Sequence, residues 1–146
     1  MAGQFPVLLN ISGRLCILVG GGRVAARKVN TLVERGGVVR VISPELDPEI
    51  SGLVHRDVVE WEARAYRNGD LEGAFIAVAA TGDPGVNAEV RHEASVRRVL
   101  VNVADDPEGS DYQVPSFFED GELVIAVSTG GMSPAVSRTL RRMIES

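Results

Sequence analysis

The segment Leu15–Gly37, LCILVGGGRVAARKVNTLVERGG, constrains the fold more than any other part of the chain. An apolar run, Leu15–Val19, stops on three consecutive glycines. A run without polar alternation reads as a strand buried on both faces, the condition of a parallel sheet. Beyond the glycines, Val24, Ala25, Lys28, Val29 and Leu32 recur at spacings of three and four. This predicts a helix over 24–35, ended by Gly36 and Gly37 with Arg35 in its last turn. Gly20, Gly22 and Ala25 fit the G-x-G-x-x-G/A spacing, directly after a strand and opening a helix. The first glycine permits a tight turn, the second lets the backbone approach a pyrophosphate, and the small third residue lets helix and strand close up. Free N–H groups and the positive end of the helix dipole favour an anion there. Gly20, Gly21, Gly22, Arg23, Val24 and Ala25 are therefore candidate dinucleotide-binding residues. A glycine turn that merely joins strand to helix is the competing reading, and the βαβ context favours the first.

The pattern continues for about two thirds of the chain. VVRVIS (38–43) is a second strand, 58–63 a weakly alternating edge strand, AFIAVAA (74–80) a fully apolar strand, and VLVNVA (99–104) a fifth. A helix is predicted over 86–98, after the breaker TGDPG. Strands alternating with helices imply right-handed βαβ units on a parallel sheet. After Asp105 the pattern changes. QVPSFFEDGELVIAVST reads as two strands around a turn at Asp120-Gly121. Ser133 and Pro134 form a cap and first-turn pair, and AVSRTLRRMIE runs as a short amphipathic helix. The expected organisation is an α/β chain: a Rossmann-like domain with a five-stranded parallel sheet over 1–107, then a C-terminal β-hairpin and helix over 108–146. A hairpin and one short helix need something to pack against, and a second copy of the chain is the expected partner.

Three further places carry candidate chemistry. Dinucleotide folds usually place an acid at the end of the second strand to hold ribose hydroxyls. Here that position reads Ser43-Pro44-Glu45, so Ser43, its backbone, or Glu45 takes the role. No arginine follows the strand, which favours NAD over NADP. Ala80 and Thr81, at the mouth of the fourth strand, either line the cofactor crevice or form a simple turn. Asp105 and Asp106 end the fifth strand at the same edge, where a turn built by Asp and Pro is the plain alternative.

Composition narrows the class. The 146 residues are 45% hydrophobic and 24% charged, ample for a core and too weakly charged for a disordered chain. The net charge of −5 argues against a nucleic-acid or membrane-binding face. Cys16 is the lone cysteine, inside an apolar run, so no disulfide framework exists and a reducing cytoplasm is expected. The opening MAGQFPVLLNISGR lacks the basic start of a signal peptide, and no segment approaches transmembrane length. His55 and His92 show no ligand spacing with each other or with Cys16, so no metal site is expected.

Taken together, VGGGRVAARKVNTLVERG, AFIAVAATGDPGVN, VNVADDP, VPSFF and VIAVSTGGMSPAVSRTLR resemble the dehydrogenase module of siroheme synthase, in the same order across nearly the whole chain. The resemblance implies a Rossmann domain, an interlocking dimerisation segment, and NAD-dependent oxidation of precorrin-2 to sirohydrochlorin, with ferrochelation as a second activity where present. It implies that Asp105 is the catalytic carboxylate, with Asp106 as second choice. It also implies that Thr129, with Ser128 and Gly130 beside it, lies near the tetrapyrrole site. The substrate's many carboxylates call for basic groups, and Arg23, Arg27, Lys28, Arg91 and Arg138 are the candidates. The family module usually continues with a helical domain, and this sequence stops near its first helix, so weakened tetrapyrrole affinity is expected. No methyltransferase is fused to it, so any uroporphyrinogen methylation is expected from another protein. The alternative is a Rossmann module that senses NAD(H) without chemistry. It has no need of a carboxylate at the fifth strand or of a Ser-Thr-Gly-Gly turn.

Overall fold

The computed structural model describes residues 3–130 and 133–146. The chain divides into two compact units. One is Leu9–Tyr112, and the other joins the residues up to Leu8 with Gln113–Ser146.

In the first unit, five parallel strands lie in the order β3-β2-β1-β4-β5. They are β1 (Leu15–Val19), β2 (Val38–Ile42), β3 (Val59–Glu62), β4 (Ile76–Ala79) and β5 (Leu100–Val103). The helices are α1 (Arg23–Glu34), α2 (Pro48–His55) and α3 (Pro84–Arg97). This is the expected Rossmann-like sheet. The central strand β1 pairs with β2 from Leu15↔Val38 to Val19↔Ile42, and with β4 from Cys16↔Ile76 to Val19↔Ala79.

The period-two geometry of a strand explains the unbroken apolar runs. Cys16 and Leu18 face one layer, with Ala25, Val29 and Leu32 of α1 and Ile50 and Leu53 of α2. Ile17 and Val19 face the other, with Val90 and Ala94 of α3 and Leu71 of a loop. Both faces of β1 are therefore covered. Burial raises the Cys16 thiol pKa to about 11, so it stays a neutral packing group.

Helix ends follow local chemistry. Past α1, Gly36 takes φ +79°, the N–H of Gly37 reaches the carbonyl of Leu32, and that of Gly36 reaches Val33. That is the glycine-closed C-terminus expected from the sequence. Two helix starts differ from expectation. Helix α3 begins at Pro84, because the Asp83 carboxylate accepts from the N–H groups of Gly85 and Val86 at 2.8 and 3.4 Å. The TGDPG breaker is thus a cap. Helix α2 was not anticipated, yet Asp47 accepts from the Glu49 N–H at 3.0 Å ahead of Pro48.

The crossover from β3 to β4 carries no helix. The buried Glu93 carboxylate of α3 holds this segment instead, accepting from the N–H of Gly69, from the N–H of Leu71 at 2.8 Å and from the Tyr66 hydroxyl at 3.3 Å. Arg97 lies 3.5 Å from it on the same helix. Arg64 closes the segment with a two-pronged pair to Asp70, both distances 2.8 Å.

The second unit holds β6 (Ser116–Asp120) and β7 (Leu123–Val127), an antiparallel hairpin, and α4 (Pro134–Glu145). The turn falls on Gly121-Glu122, one residue later than expected, because Asp120 still pairs with Leu123 and Gly121 supplies φ +60°. Ser133 caps α4 by accepting from the Val136 N–H, as expected. Gly131 and Met132 of the STGGM motif lie outside the described residues.

Ile17→Ala should lower the unfolding free energy by about 3 kcal/mol, read from denaturant midpoints. A loss below about 1 kcal/mol would contradict a central strand packed on both faces.

Candidate functional site

The C-terminal ends of β1, β2, β4 and β5 open into a cleft of about 570 Å³. It lies between β1, whose connection runs through α1 on one face of the sheet, and β4, whose connection runs through α3 on the other, the crevice in which doubly wound folds bind ligands. Its floor is Gly20, Gly21 and Gly22, and the third differs from the first two. Gly20 has φ +127°, and a Cβ there would stand 2.2 Å from the Ala80 carbonyl oxygen. A Cβ on Gly21 would stand 2.0 Å from the Glu45 carbonyl oxygen and 2.6 Å from Ser43 Oγ. Both make room for the chain itself. At Gly22 a Cβ would meet nothing within 4 Å. That glycine faces open cleft.

Gly22 is also the N-cap of α1, and no side chain caps it. The first N–H groups of the helix are left for an anion, and no acid sits in the first turn to repel one. The residues thus fit a pyrophosphate. Arg23 and Val24 line the cleft, while Ala25 is fully buried beneath it.

Ser43 and Pro44 line the β2 side. The Ser43 hydroxyl donates to the Glu45 carbonyl at 2.7 Å, and the Ser43 carbonyl accepts from Trp61 Nε1 at 2.9 Å. These bonds shape the wall and leave only a hydroxyl lone pair toward a ligand. Glu45 is exposed and does not line the cleft. Ala80 and Thr81 line the β4 side. The Thr81 hydroxyl lies 2.6 Å from Asn87 Oδ1 and accepts from the Asp83 N–H at 3.2 Å. Asn87 returns a bond to the Thr81 carbonyl at 3.2 Å. Thr81 is both crevice lining and turn, so the two readings of this position describe one structure.

At the mouth of β5 the two carboxylates separate. Asp106 Oδ1 accepts from the Gly109 N–H at 2.9 Å and closes a turn. Asp105 is exposed, lines the cleft, and holds φ +59°. A left-handed aspartate stores strain of about 1 kcal/mol, and such residues cluster at functional sites.

The basic candidates diverge. Arg23 is in the cleft, whereas Arg27 and Arg91 are exposed and outside its lining. Lys28 lies inside α1, as its spacing predicts. It sits in the second turn, half-buried, and donates to Asn102 Oδ1 at 3.0 Å. Burial lowers its pKa, and the charge of Asp105 acts against that. Ser128, Thr129 and Arg138 line a cavity of about 260 Å³ within the second unit, with Gln113, Ser116 and Ser137. Gly130 is not among its lining residues; its N–H donates to Ser128 Oγ at 3.1 Å. Ala65, Tyr66 and Val86 also line the first cleft and were not anticipated. Their segments carry no motif, and only the fold brings them to the strand ends. His55 and His92 are both exposed. Among the described residues no three His, Cys, Asp or Glu side chains are grouped to hold a metal.

The family described as "Putative NAD(P)-binding" matches residues 7–116, three quarters of the chain. The chain belongs to this NAD(P)-binding family. A second model, described as the central part of sirohaem biosynthesis proteins, matches residues 120–146. The siroheme synthase of Chromobacterium violaceum is 41% identical over 142 residues, 97% of this chain and 30% of the relative. That of Azotobacter vinelandii is 39% identical over 140 residues, 96% of this chain and 30% of the relative. The chain thus spans under a third of the length of these curated relatives. A solved structure, SirC, precorrin-2 dehydrogenase, superposes with a TM-score of 0.83 at 27% identity, covering 97% of this chain and 70% of that one. The resemblance read from the motifs holds, as does the dinucleotide cofactor class. No helix among the described residues is long and apolar enough to cross a membrane.

Gly22→Ala should leave the thermal midpoint within about 2 °C and weaken NAD+ binding about tenfold by calorimetry, because its methyl enters open cleft. Gly21→Ala should destabilise the fold outright. Equal behaviour of the two variants would contradict the distinction.

Proposed function

We propose that the chain is an NAD-dependent dehydrogenase that oxidises precorrin-2 to sirohydrochlorin in siroheme biosynthesis. The observation that carries this is the placement of a strained aspartate, Asp105, in the same cleft as an uncapped glycine-rich helix start. The curated relatives named siroheme synthase and the fold of SirC support it.

The reaction removes two electrons. A hydride leaves one carbon of the macrocycle, a proton leaves the macrocycle as well, and a new double bond extends the conjugation. Bound NAD+ supplies the hydride acceptor. The chain's residues do the rest. The Gly22 turn and the α1 N-terminus hold the pyrophosphate, Ser43 and Pro44 border the adenosine ribose, and Ala80 and Thr81 floor the nicotinamide half. The absence of an arginine after β2 favours NAD over NADP. Asp105 takes the proton on a carboxylate oxygen and stabilises cationic character as hydride departs. Asp106 is already engaged by the Gly109 N–H, so it does not take this role. Arg138, with Ser128 and Thr129, lines the second unit's own cavity and offers a guanidinium and hydroxyls to carboxylate groups such as the tetrapyrrole carries.

The working form is a homodimer in a reducing cytoplasm. On β7 and α4, Leu123, Val136, Leu140 and Met143 are exposed by 42–68%, and a second copy would cover them. Sedimentation equilibrium should read two chains; a stable, active monomer would contradict the dimer.

Asp105→Asn should lower NADH formation from precorrin-2, followed anaerobically, by at least about 100-fold while NAD+ affinity stays within about twofold. Wild-type protein that binds NAD+ but shows no NAD+-dependent turnover would favour a sensing module instead.

A further inference from the structure

Past β5 the chain ties a small knot of hydrogen bonds around Asp105. Val103 ends the strand, and its carbonyl accepts from the Asp106 N–H at 3.1 Å. Ala104 and Asp105 are the two central residues of the turn that this bond closes. Asp105 holds the second central position with φ +59°, a place that turn chemistry gives to glycine or asparagine. From there the residue is exposed and lines the cleft.

Ser110 grips this turn from outside. Its hydroxyl accepts from the Val103 N–H at 2.8 Å and donates to the Asp106 carbonyl at 2.8 Å, with the Val103 carbonyl 3.2 Å away. One hydroxyl of a half-buried residue thus spans both legs of the turn, two residues before Asp105 and one after it. Ser110 is itself held, its N–H donating to the Pro107 carbonyl at 3.3 Å. The outer N–H groups of an edge strand such as β5 could be left to water, so the sheet alone does not require this bond. Asp111 makes the comparison. Its carboxylate accepts from the Val101 N–H at 3.0 Å, and its own N–H donates to the Val101 carbonyl at 2.7 Å. Asp111 therefore fastens the returning chain to the interior of β5, whereas Ser110 fastens the mouth of the strand, where Asp105 stands. Ser110 does not line the cleft, so any part it takes in the chemistry passes through Asp105.

We infer that Ser110 is a positioning residue for the dehydrogenation: its hydroxyl clamps the Val103–Asp106 turn and so holds the Asp105 carboxylate in the cleft. This rests on the reading that Asp105 takes the proton. The left-handed region is unfavourable for an aspartate, so the conformation persists only where its surroundings enforce it. Released from the clamp, the residue relaxes toward negative φ, which re-aims its Cα–Cβ bond and moves the carboxylate from its working place. Small misplacements of a reacting group cost rate. The glycine turn is fixed separately, by its contacts with Ala80 and Glu45, so cofactor binding does not depend on Ser110.

The test is a double-mutant cycle on the full chain, assayed anaerobically with precorrin-2 and NAD+. Rates are expressed per NAD+-binding site counted by calorimetry, so that misfolded chains do not enter. Ser110→Ala should lower kcat about tenfold with the KM for NAD+ within about twofold, the scale of one hydrogen bond lost behind a reacting group. Ser110→Thr keeps the hydroxyl and should recover most of that loss. In an Asp105→Asn background, Ser110→Ala should change the residual turnover by less than about twofold, because the clamp then has no carboxylate to aim. A Ser110→Ala protein with a lowered thermal midpoint and wild-type kcat makes the hydroxyl purely structural and overturns the proposal. A tenfold loss repeated in the Asp105→Asn background overturns it as well. If Ser110→Ala binds too little NAD+ to be assayed, Ser110→Cys takes its place, since a thiol has the shape of the hydroxyl and bonds more weakly. Its kcat should then fall below that of the wild type, and equality overturns the clamp. Wild-type turnover by Asp105→Asn alone overturns the reading of Asp105 itself, an outcome separate from any result at Ser110.

Discussion

Two contacts of bare backbone hold the site together. At the end of β1 the chain passes so close to Ala80 on one side and Glu45 on the other that Gly20 and Gly21 have no space for a side chain. The Gly20 N–H donates to the Ile42 carbonyl, and the Gly21 carbonyl accepts from the Asp47 N–H. The turn is thereby fixed to β2, to β4 and to the start of α2 at once. With the turn immobilised by its own neighbours, the next residue, Gly22, can present an open face and an uncapped helix start. Rigidity at the first two glycines is the condition for vacancy at the third. The same anchoring fixes the distance between the glycine turn and the ends of β4 and β5, and hence where Asp105 stands.

A polar frame completes what the glycines begin. Trp61 of the edge strand reaches back to the Ser43 carbonyl, Asn87 ties the Thr81 turn, and Lys28 reaches Asn102, whose amide donates to the Tyr112 carbonyl. Each bond joins a strand end to an element that follows or flanks it. The crossover without a helix is the weak point of such a frame, and the buried Glu93 carboxylate replaces the missing helix with hydrogen bonds to the backbone of Gly69 and Leu71. Side chains at the rim are thereby held without contributing to the core.

What was legible in the sequence was whatever is encoded locally. Unbroken apolar runs gave the strands of the parallel sheet, because burial on both faces removes alternation. The Gly36-Gly37 pair gave the end of α1. Ser133-Pro134 was read as a helix start, and the identical chemistry at Asp47-Pro48 and Asp83-Pro84 was not. The eight-residue α2 buries only Ile50 and Leu53, too few positions for a helical period to show. At Asp83 the surrounding glycines masked the cap as a break. Gly20, Gly22 and Asp105 could be picked out because a motif places them. Tyr66, Val86 and Glu93 could not, since their relation to the cleft exists only once β3, the crossover and α3 are brought together. A charged residue in the middle of a helix reads as solvent-facing, and nothing next to Glu93 in sequence says otherwise. The separation of Asp105 from Asp106 likewise needed the backbone, as two adjacent carboxylates look alike until one is seen to close a turn.

The central claim is that one cleft binds NAD+ across the glycine turn and delivers its nicotinamide to Asp105. A crystal structure of the chain with NAD+ tests it most directly. The account predicts the pyrophosphate over Gly22 and the first N–H groups of α1, with the nicotinamide ring on the β5 side, in contact distance of the Asp105 carboxylate. A dinucleotide lying in the reverse direction, with nicotinamide toward Ser43 and β3 and adenine beside Asp105, would contradict it.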